Sequence, residues 1–330
     1  MNRGIGLDIG TNMLVAALMG EGGRPIYRKE RDAFFRLTPK SEVNKKSIRM
    51  SLEGRRANFI IDGDDFVVVG EDAIHMANER NMVAQRPMQR GVLSPKEKNA
   101  LPIIRLLIKS LIGQEEGIDK LVFSIPAEPI DASFDIFYHE EMMKAYLREM
   151  GFDSTSLNEA FAVAFSELLD DNLTGVTISC GAGMLNTAVI FEGDPIVQFS
   201  VTKGGDWIDS SVATALDLTS SLVQIEKEES DLDLLKPEGK IQEAVAVYYG
   251  ILIKYLLDNI LYKLEQAKLP SFRNPLPIVL AGGLTLVNNF KKKFELELNK
   301  KKLPFGIKEV RIASDPMTCV AHGCLMAAIL

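Results

Sequence analysis

The sequence predicts an α/β protein built as two similar halves facing one another across a cleft, and three observations carry that expectation. Residues 174–190, TGVTISCGAGMLNTAVI, read as two strands joined by a glycine turn, with Val176, Ile178 and Cys180 alternating on the way in and Leu185, Thr187 and Val189 on the way out. Residues 4–18, GIGLDIGTNMLVAAL, repeat that pattern far away in the chain, so that Gly4 matches Gly175, Asp8 matches Ser179 and Gly10 matches Gly181. Elsewhere apolar strand-like runs alternate with amphipathic helices, the pattern of a mostly parallel sheet with helices on its faces. A turn without bulky side chains leaves backbone N–H groups bare, and bare N–H groups bind phosphate. One such hairpin is an ordinary turn; a matched pair points to two phosphate turns holding one ligand between them.

Bulk properties narrow the class. A chain of 330 residues exceeds one usual core, so two domains are expected. Hydrophobic residues at 46% and charged residues at 25% are ordinary for a soluble globular protein. A net charge of −7 argues against direct nucleic-acid binding. Three cysteines without metal-ligand spacing fit a reducing, cytoplasmic setting. No signal peptide is expected, because Asp8 interrupts the first apolar run. The longest apolar helical stretch, 241–269, carries Lys254, Asp258, Lys263 and Glu265 and reads as too charged to span a bilayer, so no transmembrane segment is expected.

Taken in order, the first hairpin carries Asp8, a carboxylate inside an apolar strand that costs free energy unless it holds a cation or donors. Residues 25–75 are polar, with strand-like runs at 57–62 and 66–70 joined by the turn Asp62-Gly63-Asp64. Lys40, Lys45, Lys46, Arg49, Arg55 and Arg56 make this region basic, and it reads as a solvated lobe or loop. A short helix is expected over 71–81. An amphipathic helix follows over 95–113, with Leu101, Ile104, Leu107 and Leu111 on one stripe. The run KLVFSIP at 120–126 reads as a buried strand, and 132–150 as a helix ended by Gly151. A helix over 157–169 starts with Glu159, where the helix dipole favours an acid, and leads into the second hairpin.

The segment TKGGDWID at 202–209 follows, its Gly204-Gly205 allowing close backbone approach and Asp206 suited to cap the next helix. Trp207 reads as core. Residues 224–240 form a short charged insertion, followed by the long helix 241–268. IVLAGGLTLVNNF at 278–290 is a strand, a glycine pair and then a helix, geometry suited to a nucleoside lying against the turn. Residues 291–302 read as a solvated helix face, 310–312 as a strand and 317–330 as an apolar closing helix.

The order of these parts (phosphate hairpin, helix-borne Glu159, second hairpin, C-terminal nucleoside turn) resembles the actin superfamily. GLDIGTNMLVAAL is similar to the first phosphate motif of the bacterial rod-shape actins, the MreB family. MVAQRPMQRGVLSP at 82–95, LNEAFAVAFSELL at 157–169 and DPMTCVAHG at 315–323 are similar to further stretches of that family. Magnetosome and plasmid-segregation actins belong to the same bacterial branch. The resemblance implies the actin-like ATPase fold, with two duplicated ribonuclease-H-like halves around a nucleotide cleft. It implies one half at 1–155 with a small lobe near 25–90, and another at 156–330 with a reduced lobe near 216–242.

The resemblance also implies roles. Asp8 would hold Mg²⁺ through water. Gly10, Thr11 and Asn12 would contact the phosphates of ATP from one side, and Gly181, Ala182 and Gly183 from the other. Glu159 would position or activate the attacking water. Gly204, Gly205 and Asp206 would sit near the ribose, Glu226 and Lys227 near the adenosine, and Gly282, Gly283 and Leu284 beside the base. Two departures stand out. Ser179 replaces the aspartate that opens the family's second phosphate motif, and Met184 and Leu185 replace its threonines. The expected function is therefore an ATP-binding, filament-forming cytoskeletal protein with slow hydrolysis, whose partners are itself and an adaptor or cargo. The alternative is a weakly or non-hydrolysing scaffold on the same fold. A kinase would need a base aimed at a substrate hydroxyl, and a heat-shock-type chaperone a peptide-binding domain after the ATPase; neither is visible in the sequence.

Overall fold

Both glycine hairpins form as the alternation predicts. In the computed structural model, which describes residues 4–94, 96–97, 99–113 and 120–330, β1 (Gly4–Ile9) runs antiparallel to β2 (Met13–Met19). The chain continues through β3 (Pro25–Arg31) and β4 (Phe34–Leu37) to α1 (Glu42–Arg55), then β5 (Phe59–Asp62), β6 (Asp65–Val69) and α2 (Glu71–Asn78). A two-rung hairpin of β7 (Met88–Gln89) and β8 (Val92–Leu93) precedes α3 (Ala100–Ile112). Next come β9 (Lys120–Ile125), α4 (Phe137–Glu149) and β10 (Asp153–Asn158). Residues 95 and 98, where the expected helix 95–113 begins and the 82–95 motif ends, lie outside the described residues. The predicted helix 132–150 is shorter, because residues 132–135 are irregular and Ile136 is the N-cap of a helix that runs Phe137–Glu149.

After α5 (Glu159–Glu167) the topology repeats. β11 (Gly175–Cys180), β12 (Leu185–Phe191) and β13 (Asp194–Val201) form an antiparallel meander. Then follow α6 (Gly205–Leu216), α7 (Ser220–Glu229), α8 (Gly239–Gln266), β14 (Leu276–Ala281), α9 (Phe290–Leu298), β15 (Ile307–Ile312) and α10 (Cys319–Ile329). One five-stranded sheet runs β10-β9-β1-β2-β3 and the other, read from its matching edge, β15-β14-β11-β12-β13. In each, the central strand pairs antiparallel with the next strand of its hairpin and parallel with a later one. The registers agree to the residue: Asp8 faces Val15, and its counterpart Ser179 faces Asn186. The duplication therefore extends beyond the hairpins to whole sheets.

Each sheet has its own core. Ile5, Leu7, Leu14, Ile104, Leu107 and Phe123 pack in the first; Ile178, Leu185, Phe199, Tyr249, Leu256 and Phe294 pack in the second. Between them lie α5 and α10, whose small residues Ala160, Ala162, Ala164 and Cys324 allow close helix and sheet contact. The polar stretch 25–75 is a packed lobe rather than a solvated loop. Its sheet β4-β6-β5 and helices α1 and α2 bury Phe35, Leu52, Phe66, Val68 and Met76. α1 has no apolar stripe to announce it, since Leu52 is its one buried residue; Ser41 caps it by accepting from the Asn44 N–H at 3.2 Å.

Two expectations about helices need correction. By length and composition α8 does pass as a membrane-crossing helix, because an 18-residue window avoids most of its charges; 44% of that window is buried in the fold. Val245, Tyr249, Leu252 and Leu256 on this helix form the second core. The stretch 291–302 is a helix only over α9, and Phe290, Phe294 and Leu298 bury one face of it. Trp207 packs against the second core, edge-on to Tyr248 with ring centroids 5.6 Å apart.

Candidate functional site

The two hairpin turns face each other across a cavity of about 390 Å³, a volume suited to a small ligand. Gly10, Thr11 and Asn12 line it from the first sheet, and Gly181, Ala182 and Gly183 from the second. The backbone N–H groups of Thr11, Asn12, Ala182 and Gly183 have no protein partner among the described residues. The turns thus have the bare donors on opposing sides that the sequence predicts, an arrangement chemically suited to an anion.

Two carboxylates share this cavity. Asp8, one residue from the end of β1, accepts through Oδ1 from the Ser124 hydroxyl at 2.7 Å, and Ser124 Oγ in turn accepts from the Ile9 N–H at 3.1 Å. Glu159 stands in the first turn of α5, whose N-cap Asn158 accepts from the Phe161 N–H. Glu159 Oε2 accepts from Ser179 Oγ at 3.2 Å and from Asn186 Nδ2 at 2.9 Å. Its Oε1 has no hydrogen bond among the described residues. The Asn186 amide is oriented by its other end, since Oδ1 accepts from the Ala127 N–H at 2.7 Å.

Withdrawal from water raises the pKa of both acids. For Glu159 the negative charge of Asp8 raises it further, while the two donors work in the opposite direction. A carboxyl group poised in this way, with one oxygen tethered and the other untethered in a cavity, can take or give a proton near neutral pH. Asp8 retains Oδ2 without a hydrogen bond among the described residues, and no basic side chain is bonded to it. That donor set fits a hard cation such as Mg²⁺, which needs only one or two carboxylates when a phosphate supplies further oxygens. Among the described residues, no group of three His, Cys, Asp or Glu side chains gathers here or elsewhere as a self-sufficient metal cage.

The remaining predicted residues divide. Gly205, Lys227, Gly282, Gly283 and Leu284 line the cavity. Gly282 has φ +92°, and a Cβ there would lie 2.4 Å from the Cys180 carbonyl oxygen, so only glycine brings this turn beside β11. Lys227 is committed: its ammonium donates to both Asp209 oxygens at 2.7 Å and to the Gly205 carbonyl at 3.3 Å. Gly204, Asp206 and Glu226 are not in the lining. Gly204 is the N-cap position of α6, so Asp206 does not cap that helix, and it pairs instead with Arg86. Glu226 accepts from the Gln242 side chain, and the next acid along, Glu228, lines the cavity in its place.

Sequence reasoning missed Ser124, Asn186, Arg86 and Gly91. Asn186 was reachable, because hairpin register alone places it opposite Ser179. Ser124 lies in the strand predicted at 120–126, and Arg86 and Gly91 in the motif 82–95, but no local pattern gives these three a place at the site.

Comparison with solved structures finds the same architecture over almost the entire chain. A MamK double helical filament matches with a TM-score of 0.72 at 20% identity, covering 99% of both chains. MreB5 of Spiroplasma citri bound to ADP matches with a TM-score of 0.67 at 17% identity, covering 98% of this chain and 95% of that one. The ethanolamine utilization protein EutJ from Carboxydothermus hydrogenoformans matches with a TM-score of 0.56 at 16% identity, covering 99% and 90%. The fold is thus the bacterial actin-like fold. A comparison with curated proteins finds no match. The Volactin family model matches residues 3–328, nearly end to end, and the chain belongs to the Volactin family.

Proposed function

We propose that this protein is an ATP-binding, actin-like cytoskeletal protein of the cell interior that assembles into filaments of its own copies and hydrolyses ATP slowly. The observation that carries the reading is the pair of opposing turns with bare N–H groups, with Asp8 and Glu159 between them. Supporting it, two solved structures of one relative of the fold, MreB5, hold ADP and AMPPNP, and another relative is a filament of MamK.

The two halves, 1–155 and 156–330, close on the triphosphate, and closure sets the surface on which the next copy stacks. Gly10, Thr11, Asn12, Ala182 and Gly183 hold phosphate oxygens. Asp8 holds Mg²⁺, which supplies charge neutralisation on the phosphates when bound. Gly282, Gly283 and Leu284 flank the nucleoside. Glu159, tethered through Oε2, uses Oε1 to orient water and accept its proton. Ser179, Met184 and Leu185 favour the slow end of the range, because one metal-side carboxylate and two hydroxyls are missing.

Sedimentation with and without Mg·ATP, alongside phosphate release, tests the reading. Wild type pellets in an ATP-dependent manner and releases phosphate, and Glu159→Gln pellets but loses about 10²–10⁴ in rate, the usual contribution of a positioned general base. No pellet over a wide concentration range would sink the filament reading. Undiminished phosphate release by Glu159→Gln would remove Glu159 from the chemistry.

A further inference from the structure

The segment Arg86–Gly91 runs against the first turn and touches both halves. Arg86 Nη1 donates to Asp206 Oδ1 and Oδ2 at 2.8 and 3.0 Å, and Nη2 donates to Asn12 Oδ1 at 2.9 Å. At the other end of the strap the Gly91 N–H donates to Thr11 Oγ1 at 2.9 Å. Met88 and Leu93 anchor the strap in the first core, and its Met88 N–H donates to the buried Asp32. Asp206 belongs to α6, whose Ile208 and Val212 pack in the second core.

The polarity of these bonds has a consequence. Thr11 and Asn12 each have one side-chain oxygen, with two lone pairs, and their own donor hydrogens. The strap's donors engage both oxygens. What is left to face the cleft is the Thr11 hydroxyl hydrogen and the Asn12 Nδ2 amide hydrogens, added to the bare backbone N–H groups. Held this way, the two side chains have their oxygens turned to the strap and their hydrogens left for the cleft, which suits an anion.

The second half meets the same strap. A Cβ on Gly183 would lie 2.5 Å from Thr11 Oγ1 and 3.0 Å from the Gly91 nitrogen. Gly91 itself has φ +73°, and a Cβ there would lie 2.8 Å from Met184 Sδ. The second phosphate turn is therefore seated on the strap when the cleft has this width. Arg86 makes both of its contacts only when Asp206 and Asn12 lie on either side of it.

We propose that Arg86–Gly91 is a positioning strap that orients the Thr11 and Asn12 side chains with their donors towards the cleft and, through the Arg86–Asp206 pair, ties that polarity to closure of the two halves. This rests on the nucleotide reading above and extends it to residues outside the cavity lining, Arg86 and Asp206. The strap recognises the phosphate chain and is indifferent to the nucleoside.

The test is titration of the full chain with Mg·ATP and with adenosine by calorimetry, with a thermal melt on every variant. Arg86→Gln should weaken Mg·ATP about tenfold or more, the scale of one hydrogen bond to a charged group, and leave adenosine unchanged. Asp206→Asn, at a half-exposed position that tolerates the change, should weaken Mg·ATP by a smaller factor and also spare adenosine. The swap Arg86→Asp with Asp206→Arg restores an ion pair but presents an acceptor to Asn12, so Mg·ATP should stay weak. Rescue of Mg·ATP affinity by the swap would overturn the polarity claim, and equal loss of ATP and adenosine in Asp206→Asn would do the same. Wild-type Mg·ATP affinity in Arg86→Gln would overturn the strap alone, whereas a wild type that binds no ATP would overturn the nucleotide reading with it.

Discussion

Ser179→Asp places on the second turn the carboxylate that Asp8 carries on the matching rung of the first, and the structure says what this costs. Ser179 Oγ lies 3.2 Å from Glu159 Oε2 and donates to it. The substitution removes that donor, worth about 1 kcal/mol. It also sets a second negative charge roughly 4 Å from the first, worth about 4 kcal/mol at an effective dielectric of about 20. The open side of the cavity screens part of this, so a net loss of about 2–4 kcal/mol is expected at pH 8 without metal. The sign with pH follows from proton binding. Repulsion raises the native pKa of the acid cluster above its unfolded value, so the native state holds more protons through that window and loses stability as pH rises. The penalty should therefore shrink at pH 5, where the cluster shares protons. Mg·ATP should narrow it at pH 8 by drawing both carboxylates to the cation. Urea unfolding of wild type and variant at pH 5 and pH 8, with and without Mg·ATP, reads all three. A penalty equal at the two pH values, or indifferent to Mg·ATP, would refute the electrostatic account of this site.

Three further outcomes are expected. Gly323→Ala should destabilise the protein by about 3 kcal/mol or more, because a Cβ there would lie 1.8 Å from the Ala162 carbonyl oxygen and force α10 off α5; a thermal melt checks it. His139 is buried, accepts from the Leu93 N–H at 3.3 Å through Nδ1, leaves Nε2 unpaired, and is pushed down to about 4 by burial, against a smaller opposing pull from Glu140. The unfolded chain therefore takes up this proton first as pH falls from about 6.5 towards 4, with a loss of about 3 kcal/mol. His139→Gln should flatten the slope of unfolding free energy across that window, and an unchanged slope would show that another group sets it. Cys180 and Cys319 are buried with thiols pushed up to about 12, and Cys324 is raised as well, so an aromatic disulfide reagent at pH 8 should titrate no thiol in the native protein and three after denaturation.

What the sequence made legible follows from where information is local. The hairpins, the strand 120–126, the strand at 278 and the helices α5, α8 and α10 all carry apolar patterning that tertiary contacts only reinforce. β3 and β10, by contrast, read PIYRKER and DSTSLN, polar edge strands that take their conformation from the neighbour they pair with. α1 is hidden for a similar reason, since one buried leucine in fourteen residues gives no periodicity. In the site, the glycines and carboxylates were visible because their chemistry is unusual for their surroundings. Arg86 was not, because a surface-type residue becomes part of the site only when the fold folds its strap over Thr11 and brings Asp206 from 120 residues away.

The same distinction between local and long-range information bears on how the two halves came to differ. Asp8 and Ser179 occupy matching rungs, facing Val15 and Asn186 respectively. On the first rung the charged side chain faces the cavity and takes its hydrogen bond from Ser124; on the second, both residues are neutral donors and both point their hydrogens at Glu159 Oε2. An aspartate at 179 could not donate to Glu159 in its ionised form. Serine there therefore makes the second rung a clamp that fixes which carboxylate oxygen of Glu159 remains untethered. In the proposed chemistry, metal holding falls to the first half and orientation of the acid to the second, so loss of the second carboxylate lowers the ordering of the cation without loosening Glu159.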